Sequence, residues 1–268
     1  MVLNLKEGEY LGQNQKSFDN SFFRLSITSY ERNCEIGKHY HDDNYISILI
    51  KGKYYEKNTV ENNLISSGNI VFRPNSYTHE NLFESSGGIC FNIEFKQEWQ
   101  KQLNQTLKLP SKFNNYKTES FPSLYKLLLN FQNDYNEELA FEFICDWLFH
   151  INQKTLTKGF LPWVEKVVRI LENEIDCFHS LHSLSERAFI HPVYLARDFK
   201  EKKGITIGEY QLKIKLANSV SLLLNTDLPI TDISYKNGFY DDAHFIRTFK
   251  SVYNASPHQF RLSLKKLT

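Results

Sequence analysis

His39 and His41 are separated by one residue, so on a β-strand both imidazoles project to the same face. His79, carried by a neighbouring strand, can join them. Three imidazoles suit Zn, Fe, Ni or Cu. A non-haem iron centre also needs a carboxylate. Asp42 and Asp43 stand too close to His41, in an apparent turn, to supply it. The spacing therefore leaves three readings open: catalysis, a bound structural or sensed metal, and a metal-free pocket. The last is the expectation, with no cofactor and no enzymatic activity. Tyr45, Tyr55, Phe72 and the three histidines are then the candidates to line a pocket for a small organic molecule. Arg73 would attract a carboxylate if it pointed inward, but it reads more readily as a strand-edge surface residue.

A second set of chemically capable residues lies far along the chain. LARDFK at 195–200 recurs as FIRTFK at 245–250, a shift of 50 residues. In each copy the apolar residues at i and i+4 (Leu195 and Phe199; Phe245 and Phe249) fall on one helical face, and Arg197 and Arg247 fall on another. An exposed Arg can donate two hydrogen bonds to guanine, worth about 1–3 kcal/mol of base discrimination. Lys200, Lys203, Lys213, Lys250 and Arg261 suit phosphates, which position without reading sequence.

These residues need two kinds of scaffold. From about 20 to 95 the chain is rich in β-branched and aromatic residues, in RLSITSY, NYISILIKGKYY, NIVFRP and GICFNIEF. Lys51-Gly52, Ser67-Gly68, Pro74-Asn75 and Gly87-Gly88 read as turns between them. Many short strands point to a barrel or sandwich. SLYKLLLNFQNDY and EELAFEFICDWLFHIN read as helices, the second with a stripe of Leu139, Phe143 and Trp147. Residues 152–159 form the candidate linker, and everything beyond reads as short helices. In the second repeat, Pro229 opens one helix, Asn237-Gly238 turns the chain, and Asp241 caps the next. In the first, Ser183 or His182 precedes the first helix and His191-Pro192 begins the second.

The 268 residues carry 32 Lys+Arg against 31 Asp+Glu, a formal charge of +1. The balance is uneven along the chain. Seventeen cations face nineteen anions up to Lys158, and fifteen face twelve beyond it. That excess alone does not argue for nucleic acid. With 41% hydrophobic and 24% charged residues, the chain reads as globular rather than disordered. No uncharged apolar run approaches the ~18 residues of a membrane span, and the opening MVLNLKEGEY does not read as a secretory signal. Cys34, Cys90, Cys145 and Cys177 form no CxxC, so free thiols in a reducing cytoplasm are expected.

The stretch PITDISYKNGFYDDAHFIRTFKSVYNASPHQFR resembles the C-terminal signature of the AraC/XylS family of transcriptional regulators. Ile230, Ile233, Gly238, Phe239, Phe245, Arg247, Phe249, Lys250, Ser256, Pro257, Phe260 and Arg261 carry the match. SLSERAFIHPVYLARDFKEKKG matches the upstream unit, and EYQLKIKLANSVSLLL looks like the connecting helix. The resemblance spans about Leu161 to Leu267. The chain departs at Ser185 and Ser234, where Ala is common, and at Phe189 and Asn254, where Gly is common. The resemblance implies two recognition helices entering successive major grooves. Base readout would fall on Val193, Ala196 and Arg197, then on Asp242, Ala243, His244 and Arg247, with Lys200 and Lys250 on phosphates.

GKHYHDDNYISILIKG and GNIVFRPNSYTHEN resemble the two cupin motifs. Metal-dependent cupins usually carry Glu shortly after the HxH pair, where this chain has Tyr45 and Ile46. Together the resemblances imply an α+β multidomain protein. Residues 1–155 would form a cupin-like β-barrel (about 20–95) with appended helices (about 98–155) that bind effector and dimerise. Residues 160–268 would form an all-α domain with two helix-turn-helix units. The implied protein is a cytoplasmic, sequence-specific regulator, an activator more than a repressor. Its expected partners are double-stranded DNA, a small-molecule effector, RNA polymerase and a second copy of itself, with no membrane. Control by a protein partner or a bound metal is the alternative, and a cupin metalloenzyme the remote one.

Overall fold

The computed structural model describes residues 2–97, 107–116, 121–152 and 161–266. It falls into two compact units, Met1–Asn152 with Gln259–Thr268, and Gln153–His258. Most of the expected linker, from 153 onward, lies outside the described residues. So do 98–106 of the expected appended helices. Residues 259–268, which the sequence pattern assigns to the C-terminal half, group with the first unit instead. There Phe260 is fully buried with its ring 6.0 Å from that of Tyr125, and Ser263 meets Asn133.

The first unit holds strands β1 (Leu3–Leu5), β2 (Gln13–Asp19), β3 (Phe23–Tyr30), β4 (Glu35–His41), β5 (Asn44–Lys57), β6 (Asn62–Ser66), β7 (Ile70–Arg73), β8 (His79–Phe95) and β9 (Asn114–Tyr116). They form one mixed sheet of order β1-β4-β8-β5-β7-β9, with β3 also on β8, β2 on β3, and β6 on β5. The long strands β5 and β8 each serve two sets of partners. The start of β8 pairs with β4 and its end with β3, while β5 runs antiparallel along both halves. Lys51-Gly52 and Gly87-Gly88 lie inside these strands rather than between them. They form a bulge at which the register shifts. Gly52 sits at φ +94°, where a Cβ would stand 2.0 Å from the carbonyl oxygen of Gly87, so only glycine fits.

The bend rolls the sheet until inward residues from its two ends meet. Tyr45 pairs with Arg73 and Glu94, yet its hydroxyl reaches His79, at the opposite end of β8. Arg73 on β7 likewise crosses to Glu56 near the far end of β5. The result is the barrel-like interior that the sequence pattern suggests. On the outer face, helices α1 (Pro122–Gln132) and α2 (Glu137–Asn152) pack their apolar sides. Trp147 is fully buried and meets the rings of Phe72, Phe95 and Phe121 at 5.6–6.4 Å. The stripe read from sequence is only partly right. Burial follows Ala140, Ile144, Trp147 and Leu148, while Leu139 is exposed and Phe143 half-buried.

The described part of the second unit is helical: α3 (Pro162–Asn173), α4 (Leu181–Ala188), α5 (Pro192–Lys203), α6 (Ile207–Asn225), α7 (Ile230–Lys236), α8 (Asp242–Tyr253) and the start of α9 (Pro257–Lys265). Val164, Val167, Leu171, Leu184, Leu195, Phe199 and Ile214 close one core. Helix α6, which links the two pairs, begins with a reciprocal cap between Thr206 and Glu209.

Candidate nucleic-acid interface and barrel interior

Helices α5 and α8 begin at 192 and 242 and end at 203 and 253, so the 50-residue repeat extends to the helix boundaries. Their C-caps, Gly204 and Asn254, are both left-handed. The first partner helix starts earlier than the sequence suggests, because Ser180, not Ser183 or His182, accepts the capping bond from the backbone of Ser183. Its last cap is Phe189, held at φ +56°. In the second pair, Gly238 makes the turn at φ +60°, where any Cβ would stand 2.0 Å from the Asp176 carbonyl oxygen. Asp241 caps α8 by accepting from the backbone N–H of His244 at 2.6 Å. Asp241→Ala should lower the unfolding free energy of the second unit by about 0.5–2 kcal/mol. Urea titration followed by circular dichroism measures it, and an unchanged midpoint would contradict the cap.

Leu195, Phe199, Phe245 and Phe249 are fully buried, which fixes the faces of both helices. Val193, Arg197 and Lys200 are exposed and Ala196 is half-buried. Ala243, His244, Arg247 and Lys250 are exposed and Asp242 is half-buried. All nine expected DNA-facing positions thus reach the surface. Arg197 is held in place: its Nε and Nη2 donate to Oδ1 of Asp198 at 3.1 and 3.0 Å, and its guanidinium lies 5.1 Å from the ring of exposed Tyr194. Asp198 also accepts from Trp163 Nε1 at 3.3 Å. The remaining Nη edge of Arg197 stays available, with the side chain 60% exposed. Sequence reading misses Tyr194 and Asp198, although Tyr194 lies three residues before Arg197, one helical turn away. Two of the phosphate candidates fare differently. Lys203 donates to Glu165 at 3.1 Å, and Arg261 is half-buried in the first unit.

Inside the barrel, His39, His41 and His79 are all buried, and one ring nitrogen from each lies within 4.8 Å of the others. The Nδ1–H of His39 donates to the Gly37 carbonyl at 2.9 Å, and that of His79 to the Tyr77 carbonyl at 3.0 Å. Carbonyls only accept, so both rings keep Nε2 unprotonated. Tyr45 donates to Nε2 of His79 at 3.2 Å. Burial lowers the pKa of all three imidazoles, that of His41 to about 2, and the neighbouring rings add to the effect there.

Tyr55 and Phe72 do not line this interior. Tyr55 is 39% exposed, and Phe72 faces Trp147 on the outer side. Successive strand residues alternate faces, so their neighbours Tyr54 and Arg73 point inward instead. Arg73 is buried at 2% exposure, not a surface residue. It donates to both carboxylate oxygens of Glu56, itself fully buried, and to Tyr54 at 2.8 Å and Ser47 at 3.2 Å. Asn81 adds a bond to Glu56 at 3.2 Å. The residual cavity, about 30 Å³, is lined among others by His39, His41, Tyr45, Arg73, Asn92 and Tyr10. That is room for one water-sized particle, well below the roughly 300 Å³ at which organic ligand pockets begin.

A helix-turn-helix domain model matches residues 184–263. The probable transcription factor PqrA of Proteus vulgaris is 41% identical over 109 residues, 40% of this chain and 84% of PqrA. This chain belongs to the AraC/XylS family of transcriptional regulators. Another AraC/XylS relative, the transcriptional activator PerA of Escherichia coli O127:H6, is 26% identical over 163 residues, 61% of this chain. The match spans only 54% of PerA. Among solved structures, unsaturated fatty acid-bound ToxT from Vibrio cholerae aligns over 93% of this chain and 98% of its own, at 17% identity and a TM-score of 0.40. The AraC/XylS assignment accounts for the paired helices α4–α5 and α7–α8 and for the long helix between them. No helix among the described residues is long and apolar enough to cross a membrane.

Proposed function

We propose that this chain is a sequence-specific, double-stranded-DNA-binding transcription activator, controlled by a small ligand held inside its N-terminal barrel. The observation that carries the proposal is the matched pair of exposed arginines, Arg197 and Arg247, at the same step of two helices that repeat at 50 residues. Each stands beside small or apolar exposed residues able to meet thymine methyls, Val193 in one copy and Ala243 in the other. Val193, Ala196, Arg197, Asp242, Ala243, His244 and Arg247 read bases, while Lys200 and Lys250 hold phosphates. The protein acts in the cytoplasm as a homodimer that engages RNA polymerase. The exposed Leu139, Phe141 and Phe149 of α2 support self-association. Gene regulation, rather than turnover, is the activity.

Selection from a random duplex pool by the full chain tests this. A defined consensus should emerge, and log affinity for it should fall with log salt by about 0.9 per phosphate neutralised. Recovery of an unenriched pool at low salt would reject sequence-specific binding.

A further inference from the structure

Helix α6 carries a lysine where an apolar residue would be desolvated more cheaply. Lys215 is only 9% exposed, and a lysine is almost never buried unless it is paired. Burial lowers its pKa, while Cys177 and Asp176 act the other way. Its partner is the turn of the second helix pair, where Nζ donates to the Gly238 carbonyl at 2.7 Å. The same ammonium lies 5.9 Å from the centre of the Phe239 ring. One helical turn further along α6, Asn218 donates through Nδ2 to Oδ1 of Asn237 at 2.9 Å. Asn237 is fully buried and donates in turn to the Ile233 carbonyl of α7 at 2.7 Å. Two side chains at i and i+3 on one face of α6 thus grip consecutive residues of the turn.

That turn leads straight into the reading helix. The Phe239 ring packs 4.8 Å from that of buried Phe245 and 5.6 Å from that of His244, both on α8. On its other side the turn is closed by the Asp176 carbonyl, against which Gly238 fits without a Cβ. The first pair is held otherwise. Its left-handed turn residue, Phe189, is 89% exposed, with Lys166 Nζ 4.7 Å from its ring. The grip from α6 is therefore directed at the second pair.

Resting on the DNA-reading assignment above, we propose that Lys215 and Asn218 are positioning residues for the second reading helix. They touch no DNA. They fix the turn and, through Phe239, the angle at which α8 presents Asp242, Ala243, His244 and Arg247. Helix α6 thereby sets base preference in one half of the binding site and leaves the half read by Arg197 alone.

The test uses the full chain carrying Lys215→Met, which keeps the unbranched stem and removes the donor, and separately Asn218→Ala. Amide hydrogen exchange of the free protein comes first. The amides of Gly238 and Phe239, bonded to the Tyr235 and Ser234 carbonyls, should exchange about 10-fold faster in Lys215→Met. The amide of Ile190, bonded to the Ser185 carbonyl in the first turn, should keep its rate. On duplexes selected by the unmodified chain, affinity should fall about 10-fold. Mismatch penalties should flatten only at the positions that Arg247→Ala also relaxes. The salt slope should stay as it was, since a lysine lost from a phosphate would shift it by about 0.9. If Lys215→Met fails to fold, Asn218→Ala carries the same readouts. Unchanged exchange in the second turn overturns the clamp. So does a penalty spread evenly over both halves of the site, or a shifted salt slope. If the pool yields no consensus, sequence-specific reading fails by itself, and the exchange rates still decide the clamp.

Discussion

Arg197→Ala and Arg247→Ala together should cost about 2–6 kcal/mol of specific DNA affinity, on duplexes selected by the unmodified chain. Each guanidinium offers a two-donor edge to guanine O6 and N7, and each such contact is worth about 1–3 kcal/mol. The two residues sit on different helices of different repeats, share no partner, and should add. Each single variant should relax preference at one base-pair position and leave the rest of the consensus in place. The salt slope separates this from phosphate binding. Loss of a base-reading arginine leaves the slope nearly unchanged, whereas Lys200→Ala or Lys250→Ala should shift it by about 0.9. Arg197 carries a further signature, because Asp198 and Tyr194 hold its side chain in the free protein. Asp198→Asn should weaken binding through Arg197 alone, so the effect vanishes in the Arg197→Ala background. Fluorescence anisotropy on matched and single-mismatch duplexes measures all of these. Identical affinities and identical mismatch profiles across the variants would reject the reading helices.

The C-terminal unit was far more legible than the barrel interior, and the reason is physical. Helix caps and turns are decided locally. Asp241, Gly238 and Asn254 each satisfy or relieve the backbone within a few residues, so sequence shows them directly. Ser180 escaped because Ser183 and His182 are equally polar and the choice depends on where Leu184 must point. The barrel's facing is not local. From Asn44 to Ile50, β5 is buried on both sides, so it carries no alternation to read. The bulge at Gly52 then resets which residues turn inward. A reading of one residue's difference exchanges Tyr54 for Tyr55, as it exchanges Arg73 for Phe72. The three histidines survived because the i, i+2 rule acts within a single short strand, with His79 placed directly opposite His39 by the β4–β8 pairing. Glu56 was invisible, since charged residues are almost never fully buried without a partner that sequence does not reveal.

That hidden pair yields the other large expectation. Arg73→Met should destabilise the first unit by about 3–5 kcal/mol, because it strands Glu56 at zero exposure without its counter-charge. Asn81 alone cannot replace the bonds that Arg73 donates to that carboxylate. Adding Glu56→Leu to Arg73→Met should recover most of the loss, since a buried pair replaced by apolar groups of similar volume is often neutral. Recovery should stop short of complete. Tyr54 loses the guanidinium and Asn81 loses its acceptor, while Ser47 keeps its bond to Asn92, so two buried groups are left that each cost about 1–3 kcal/mol when unsatisfied. Urea denaturation of the two variants measures the cycle. A double variant less stable than Arg73→Met would show that the network positions the barrel through its hydrogen bonds. A single variant indistinguishable from the unmodified chain would mean that water reaches Glu56 and replaces the bonds Arg73 donates to it.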